Sequence, residues 1–242
     1  KRSVCEVTKA ETYTDNKPVP QGLFDIRMGS LDINRMCGTC GQSVNKCPNH
    51  IGHINLEVPV FNIMFIDIVK KILKCVCFHC SKLVVSPTTQ HKDIKDDMAR
   101  IKNIKNNQKR FEAYLKMISN HSSKLKHCGD DNTIGCQRSL PHNVIKEKNS
   151  LSMSVEWMTE DKEKYSIEIS PEDVLRIFRK MTDKDIETIG FNPQWSRPEW
   201  LILTVLPVAP PAVRPSIVEE NSARREDDIT HKLCEIVRAN NS

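Results

Sequence analysis

Alternating apolar and polar positions predict strands in two regions of the chain. In the segment INLEVPV, apolar side chains occupy every second position from Ile54 to Val60, which is the period of a strand with one buried face. Pro59 offers no backbone N–H to a neighbouring strand, so we expect this strand at a sheet edge or to end there. The segments LSMSVEW and YSIEI alternate in the same way around a polar connection, and they predict a β-hairpin.

Apolar residues at every third or fourth position predict helices elsewhere. FIDIVKKIL is one such segment, and residues 91–119 predict either one long amphipathic helix or a broken pair. Two further helices have N-terminal capping residues: Ser170 begins SPED and Thr182 begins TDKD, with Gly190 expected to end the second. The last predicted helix is DDITHKLCEIVRAN, whose acidic residues suit a helix N-terminus.

The most apolar stretch, EWLILTVLPVAPPAVRPSI, predicts a buried strand in its first half. Its four prolines then predict an extended and stiff path. Residues 1–35 show little periodicity and contain KPVPQGLFD, so we expect them to be irregular and extended.

The composition favours a thin core that needs further support. Among 242 residues, 38% are hydrophobic and only 5% are aromatic, while 28% are charged. Metal ions or partner surfaces would supply the missing stabilisation. The net charge of +5 is compatible with a nucleic-acid neighbour and is weak evidence for one.

The ten cysteines are more typical of metal ligands than of disulfides. No apolar run of about 18 residues predicts a transmembrane helix. The start of the chain, KRSVCEVTKAETYTD, lacks the apolar centre of a signal peptide. We therefore expect a reducing compartment, in which cysteines bind metals.

Cys37-x-x-Cys40 and Cys47-x-x-His50 form the densest cluster of ligand residues. Zn²⁺ prefers four tetrahedral thiolate or imidazole ligands, and residues paired at this spacing let one tight turn present two of them. The cluster therefore predicts a complete Cys₃His zinc site. His53 is an alternative ligand, but the spacing after Cys47 favours His50.

Cys77-x-x-Cys80 predicts half of a second zinc site, with Cys128 and Cys136 as the expected other half. In an extended lead-in, a residue two positions before Cys77 would share its face and compete as a ligand. The residues that compete for this site are Cys75 and His79.

Each predicted site has four protein ligands and is therefore closed, which indicates a structural role rather than catalysis. Catalytic zinc keeps one position open for water, and the signature of zinc deaminases is absent. Gly-rich phosphate loops, Gly-x-Ser-x-Gly and His-Glu-x-x-His are absent as well. Cys5 and Cys234 have no ligand partners at such spacing, and we expect them to fill apolar space.

Two further features have both a structural and a binding interpretation. The basic stretch from Lys92 to Lys126 is either a ligand surface or a solvated helix face, and the second needs no ligand. Within QWSRPEW, the side chains of Trp195, Arg197 and Trp200 are able to stack on bases, but such residues more often pack at the start of a strand.

Five segments, in their order along the chain, carry a resemblance to a known family: GLFDIRMGS, CGTCGQSVNKCPNHIGHINLEVPVFNIMF, CVCFHC, GFNPQWSRPEWLILTVLPVAPPAVRPSI and REDDITHKL. They resemble the N-terminal clamp region of the largest subunit of multisubunit DNA-dependent RNA polymerase, of the eukaryotic RNA polymerase II type or a viral relative. The resemblance covers nearly the whole chain and is loose only over residues 85–165.

The resemblance implies the same eight zinc ligands that the spacing predicts. The family often has Gly where Asn49 stands, and Asn also tolerates a left-handed turn. Residues 218–226 match the family's lid, which helps to part RNA from the DNA template. The helix from Asp227 matches the first stretch of the clamp coiled coil. We therefore expect phosphate contacts from arginines in or beside the lid: Arg214, Arg224 and Arg225.

The catalytic signature of the family, Asn-Ala-Asp-Phe-Asp-Gly-Asp, is absent from the chain. Its aspartates hold the active-site Mg²⁺ in that family and would lie beyond Ser242. The resemblance therefore implies a nucleotidyltransferase of which this part is not catalytic. It also implies partners: other polymerase subunits, especially the second-largest, the DNA template, the RNA–DNA hybrid and transcription factors, but no membrane.

The expected fold is an α+β, irregular zinc-stabilised clamp domain with two structural zinc sites, short antiparallel strands and several amphipathic helices. Its segments are an extended N-terminal part (1–35), a zinc-binding core with a basic helical insert (36–140), a part with the hairpin, helices and buried strand (141–216), and the lid with the start of the coiled coil (217–242).

The favoured function is to enclose the template and the hybrid during transcription. The alternative is a stand-alone zinc-ribbon adaptor for nucleic acid or protein. A cellular polymerase would place the chain in the nucleus, and a viral one would place it in the virion or a cytoplasmic viral factory.

Overall fold

The computed structural model describes residues 2–85, 89, 91–129, 135–147, 150–159, 163–218 and 224–242. These residues form the expected α+β fold. The strands are β1 (Tyr13–Thr14), β2 (Lys17–Pro18), β3 (Gly52–Phe61), β4 (Asn143–Lys146), β5 (Met153–Met158), β6 (Lys164–Ile169), β7 (Ile202–Val208), β8 (Ile217–Val218) and β9 (Arg224–Arg225). The helices are α1 (Ile66–Leu73), α2 (Lys92–Lys102), α3 (Asn107–Asn120), α4 (Pro171–Arg179), α5 (Asp183–Thr188) and α6 (Asp228–Asn240).

The described strands form four small sheets. They are the hairpin β1–β2, the pair β3–β7, the three-stranded sheet β4–β5–β6 and the hairpin β8–β9. Antiparallel pairing places Val155 opposite Ile167 and Met153 opposite Ile169, so the predicted hairpin of LSMSVEW and YSIEI is confirmed.

No helix in the described part of the chain is long and apolar enough to cross a membrane.

The chain divides into two compact units. The first unit comprises Lys1–Val58 and Thr204–Ser242, and the second comprises Pro59–Leu203. In the first unit, the N-terminal segment and α6 contribute buried residues to one core, which includes Leu23, Met28, Ile54, Leu233 and Val237. The second unit has its own core, built from helices α1 to α5 and from β4 and β5.

Local capping explains where several helices begin. The Ser170 hydroxyl accepts a hydrogen bond from the N–H of Asp173 at the start of α4. The Thr182 hydroxyl accepts one from the N–H of Asp185 in the same way. Each satisfies a backbone donor that the helix itself leaves free. Both predicted starts are therefore confirmed.

The basic stretch forms a broken pair of helices, one of the two predicted forms. The connection lies between Asn103 and Asn106, and the Asn106 side chain accepts a hydrogen bond from the N–H of Lys109 to begin α3. Asn favours such a cap over a helix interior, because its short amide competes for backbone hydrogen bonds.

The apolar stretch near residue 200 contains the predicted strand, but the expected burial of that strand and the expected extended path after it are wrong. In β7 only the terminal residues Ile202 and Val208 are buried, and Val205 is 43% exposed. The proline-rich segment does not stay extended, because Pro211–Val213 forms a turn of 3₁₀ helix. Proline suits the first position of such a turn, since its missing N–H would have no partner there.

The tryptophans of QWSRPEW do not pack at the start of the strand as expected. Trp195 is 79% exposed and Trp200 is 54% exposed. Arg197 has the structural role: it pairs with Asp183 and with Glu199. Hydrogen bonds from its guanidinium to two carboxylates tie the start of α5 to the turn before β7.

Candidate metal centres

The first predicted group of metal ligands converges within the first unit. Atoms from Cys37, Cys40, Cys47 and His50 all lie within 4.8 Å of one another. The Sγ atoms of Cys40 and Cys47 are 3.6 Å apart. The Cys47 Sγ lies 3.7 Å from the Nε2 of His50. These distances place three thiols and one imidazole around a common point.

The spacing of these atoms fits a tetrahedral zinc ion. With Zn–S bonds of about 2.3 Å, tetrahedral geometry places two sulfurs about 3.8 Å apart. The observed Cys40–Cys47 separation of 3.6 Å is close to that value. Three sulfurs and one imidazole nitrogen are also the donor set that structural zinc prefers over magnesium or calcium. The residues present therefore fit the ion.

The turns that carry these ligands are held by backbone groups. The N–H of Thr39 lies 3.4 Å from the Sγ of Cys37, and the N–H of Asn49 lies 3.3 Å from the Sγ of Cys47. Such N–H donors stabilise the thiolate form that binds metal. Asn49 has a φ of 63°, the left-handed conformation that the sequence analysis allowed for it. Sequence reasoning did not identify these donors, although each lies two residues after a cysteine.

The second predicted group converges within the second unit. Atoms from Cys77, Cys80, Cys128 and Cys136 also lie within 4.8 Å of one another. Cys77 and Cys136 have Sγ atoms 3.6 Å apart, and those of Cys80 and Cys128 are 3.5 Å apart. Four sulfurs at these distances fit the same tetrahedral geometry.

Glycine is required next to the second pair. A Cβ atom at Gly135 would lie 2.2 Å from the carbonyl oxygen of Cys128. That approach is too close for any larger residue, so Gly135 lets the chain pass beside Cys128 just before it presents Cys136. The predicted loop between the two cysteines includes residues 130–134, which lie outside the described part of the chain.

The competing ligands have other partners. The Nδ1 of His53 lies 2.8 Å from the hydroxyl of Ser3. The thiol of Cys75 donates to the carbonyl of Lys71, and the ring of His79 lies 5.9 Å from that of Trp157. Cys5 and Cys234 are buried in the core of the first unit. The two four-residue groups described above are therefore the better candidates.

The thiols of the first group differ in their pKa values. Burial raises the pKa of Cys37, but hydrogen bonds from the N–H groups of Cys40 and Thr39 outweigh it and leave that pKa below its ordinary value. Burial raises the pKa of Cys47 to about 11. A metal ion must therefore displace protons from some of these thiols, which makes its affinity fall as the pH falls.

The arginines predicted to contact nucleic acid have different environments. Arg214 is completely buried, so the expectation that its side chain reaches a phosphate is not supported by its place in the fold. Its guanidinium donates to the carbonyls of Ala209 and Leu23 and to the hydroxyl of Thr230. Arg225 is exposed on β9. Arg224 belongs to β9 as well, but its side chain lies outside the described part of the structure.

Both groups offer the number of protein donors that a structural metal site uses. Each offers four protein donors, and a tetrahedral ion would then keep no position for water or substrate. An ion bound in this way ties distant segments together, as the 48 positions between Cys80 and Cys128 illustrate. Such cross-links would support a chain with a thin core.

Comparison with known proteins gives matches along the whole chain. Residues 1–242 match the family described as RNA polymerase Rpb1, domain 1. The chain is similar to DNA-directed RNA polymerase subunit Rpo1N of Methanocaldococcus jannaschii, with 36% identity over 240 residues, covering 99% of this chain and 17% of that protein. It is also similar to DNA-directed RNA polymerase II subunit RPB1 of Euplotoides octocarinatus, with 34% identity over 249 residues, covering 99% of this chain and 49% of that protein. The chain thus spans less than half the length of either relative.

Proposed function

Since the chain belongs to the RNA polymerase Rpb1 domain 1 family, we propose that it is a structural module of the largest subunit of a DNA-directed RNA polymerase. The observation that carries this proposal is the pair of closed four-donor groups, each of which converges in one unit of the fold. We propose that both groups bind Zn²⁺ as a permanent structural ion. Their ligands would be the eight residues Cys37, Cys40, Cys47, His50, Cys77, Cys80, Cys128 and Cys136.

The module would act as the clamp, which helps to enclose the DNA template and the RNA–DNA hybrid during transcription. The names of the two relatives support a place in the polymerase. The clamp role itself rests on the resemblance of the segment before α6 to the lid. Arg224 and Arg225 on β9 are the residues of that segment that we propose to lie near nucleic acid.

The proposal assigns catalysis to other parts of the polymerase. The aspartates that hold Mg²⁺ in the family have no counterpart in this sequence. The closed metal groups also offer no position at which a substrate could meet the ion. Templated nucleotide transfer would therefore need further subunit segments, and we propose the second-largest subunit as the principal partner. Transcription factors would contact the outer surface, in the nucleus for a cellular enzyme and in the virion or a viral factory for a viral one.

Purification through a tag on the polypeptide that carries this chain tests the proposal. The expected result is a complex that contains a second large subunit and incorporates nucleotides on a DNA template. The isolated 242-residue chain should bind zinc and show no incorporation. The matched control is the same tag on an unrelated protein from the same cells.

Two results would contradict the proposal. A tagged polypeptide that purifies without a second large subunit and without templated synthesis would favour a stand-alone zinc adaptor. Nucleotide incorporation by the isolated chain would show that catalysis resides in it after all.

A further inference from the structure

The α2–α3 hairpin separates its charges along its length. At the end where α2 begins, carboxylates meet basic groups of α3 and the residues after it. Lys124 pairs with Asp93 at 3.0 Å, and His121 contacts Asp97 at 3.2 Å. Arg100 also reaches Asp97, at 3.6 Å. Asp93 and Asp97 at this end therefore have basic partners.

The opposite end of the hairpin carries lysines that make no such pairs. Lys102, Lys105 and Lys109 lie on either side of the turn between the two helices, and all three are exposed. None forms an ion pair with any residue that the structure describes. Glu112, one turn further along α3, accepts a hydrogen bond from Gln108. We call Lys102, Lys105 and Lys109 the lysine tip.

The backbone beneath the lysine tip is held in place. The Nε and Nη2 groups of Arg110 donate to the carbonyl of Ile104 at 2.9 and 2.7 Å. Its remaining guanidinium nitrogen donates to the carbonyl of Glu187 at 3.4 Å. Since Arg110 is occupied in this way, the lysines are presented by a turn whose shape is fixed before any ligand arrives, which lowers the entropy lost on binding.

An exposed indole lies in the loop beside this turn. Asn107 and Arg110 of α3 and loop residues 191–194 line one cavity of about 570 Å³. Trp195 follows this loop directly, and its side chain is 79% exposed. The acidic residues Asp183 and Glu187 also line the cavity. Arg197 pairs with Asp183, whereas Glu187 forms no ion pair with the residues that the structure describes. The exposed indole of Trp195 thus follows a loop that shares a cavity with the first turns of α3.

We propose that the lysine tip and Trp195 together form a binding site for single-stranded nucleic acid. The lysines would contact consecutive phosphates, and the indole would stack on an unpaired base. Charge complementarity supports the first contact, and sequence-tolerant stacking of bases on aromatic side chains supports the second. The choice of nucleic acid over an acidic protein rests on the proposed function, since the lysines and the exposed ring would suit either ligand.

Binding of a fluorescent 20-nucleotide oligo-dT to the zinc-loaded chain, measured by anisotropy, tests this site. Replacing Lys102, Lys105 and Lys109 together by Gln should weaken binding at least tenfold. The slope of log affinity against log salt should become shallower by about 2, since each phosphate contact on a single strand contributes about 0.7. Trp195→Ala should weaken binding of oligo-dT about tenfold, the effect expected of one lost stacking contact, and leave binding of a 20-base-pair duplex unchanged.

The matched control removes the same charge from the other end of the hairpin. Lys92, Lys95 and Lys126 are exposed, and the eleven residues of α2 separate that end from the tip by about 16 Å. Their replacement by Gln should change affinity by less than twofold. Equal losses in the two triple variants would overturn the proposal, because net charge alone would then explain binding. An unchanged affinity in Trp195→Ala would overturn it as well.

A poly-glutamate peptide tests whether the site binds an acidic protein instead of nucleic acid. If this peptide binds as tightly as oligo-dT and the tip variant no longer binds it, the site recognises an acidic protein and the proposal is wrong. Failure of the tagged polypeptide to purify with a polymerase would count against the proposed function. Equal binding by the tip and control variants would count only against the lysine tip.

Discussion

The guanidinium carbon of Arg214 lies over the ring of Phe24, 5.1 Å from its centroid. A cation in this position is attracted by the negative face of the ring. Burial lowers the pKa of Arg214 from its ordinary value, but an arginine with five donors and such a high starting pKa remains charged. The hydrogen bond from its guanidinium to the carbonyl of Leu23 spans 191 positions. Arg214 therefore fixes the segment before α6 to the N-terminal part of the first unit.

Replacing Arg214 by Met should destabilise the chain by about 3 kcal/mol. The substitution keeps much of the volume but leaves buried acceptors without donors, and such orphaned groups cost about 1–3 kcal/mol each. Urea unfolding of the zinc-loaded protein would measure the change. Arg225→Met is the control, since Arg225 is exposed and a surface change costs about 0.5 kcal/mol or less. Equal stability of the two variants would show that the buried contacts of Arg214 contribute little.

The burial of Arg214 marks the limit of reasoning from the sequence. A basic residue beside a loop is usually exposed, and its acceptors lie on segments that are distant in sequence, at Leu23 and Thr230. In contrast, the starts of α4 and α5 were predictable, because Ser170 and Thr182 bond to groups only three residues away. Local signals therefore identified the capped helices, whereas the contacts that bury a charge depend on the whole fold.

The metal groups were the most predictable part of the candidate site. Cysteine pairs at a fixed short spacing specify a turn that presents two thiols, and this signal does not depend on the rest of the sequence. The structure brings the predicted donors together in both groups, although Cys77 and Cys136 are 59 positions apart. Binding of Zn²⁺ by these residues remains a prediction. The exposure of Trp195 was not predictable, because an apolar ring gives no local signal that its neighbours leave it uncovered.

Elemental analysis of the purified chain should find two zinc ions per molecule. Cys40→Ser and Cys80→Ser should each leave about one ion, since each removes a ligand from a different group. Cys75→Ala is the control, because Cys75 belongs to neither group and should leave both ions in place. A strong chelator should unfold residues around both sites, as metal binding contributes directly to folding. One ion per chain would exclude one of the two sites.

Asp25 should make part of the stability depend on pH. Burial alone would raise the pKa of Asp25, but hydrogen bonds from the Arg27 side chain and from the N–H groups of Arg27 and Gln21 outweigh it and hold that pKa below its ordinary value. The Arg27 Nη2 group and the Gln21 N–H lie 2.7 and 2.6 Å from the carboxylate. A carboxyl group with a lowered folded pKa stabilises the protein above its unfolded pKa of about 3.9, and this contribution is lost as the pH falls through the folded value.

Asp25→Asn should therefore cost about 3 kcal/mol at pH 7, because it weakens several charge-assisted hydrogen bonds. The difference from the parent chain should shrink as the pH falls below about 4, because the unfolded carboxyl binds a proton there and the folded one follows only at its lower pKa. Urea unfolding of both variants between pH 7 and pH 3, with their zinc content measured at each pH, would follow this difference. Asp32→Asn is the control, since the Asp32 side chain is 49% exposed and its pairing with Arg35 is a surface contact. A difference that stays constant with pH would show that Asp25 does not supply the dependence.

Replacing Arg224 and Arg225 by Ala should weaken binding of an RNA–DNA hybrid to the zinc-loaded chain. In the hairpin β8–β9, Arg225 is opposite Ile217 and Arg224 is opposite Val218, so both arginines belong to the strand that leads into α6. Contacts with phosphates carry no base specificity, so the loss of affinity should be equal for hybrids of different sequence and smaller at high salt. A titration at two salt concentrations would measure it.

The control for this prediction replaces Arg179 and Arg238, which are exposed, by Ala. This double substitution removes the same charge from other surfaces of the chain. It should lower the affinity for the hybrid much less if the hairpin arginines lie beside nucleic acid. Equal losses would mean that hybrid binding follows net charge alone. The outcome also separates the two basic surfaces, because the lysine tip acts on single strands through Trp195, whereas the hairpin arginines should act on the hybrid without it. Loss of hybrid binding in Trp195→Ala would therefore contradict a separate role for the arginines of β9.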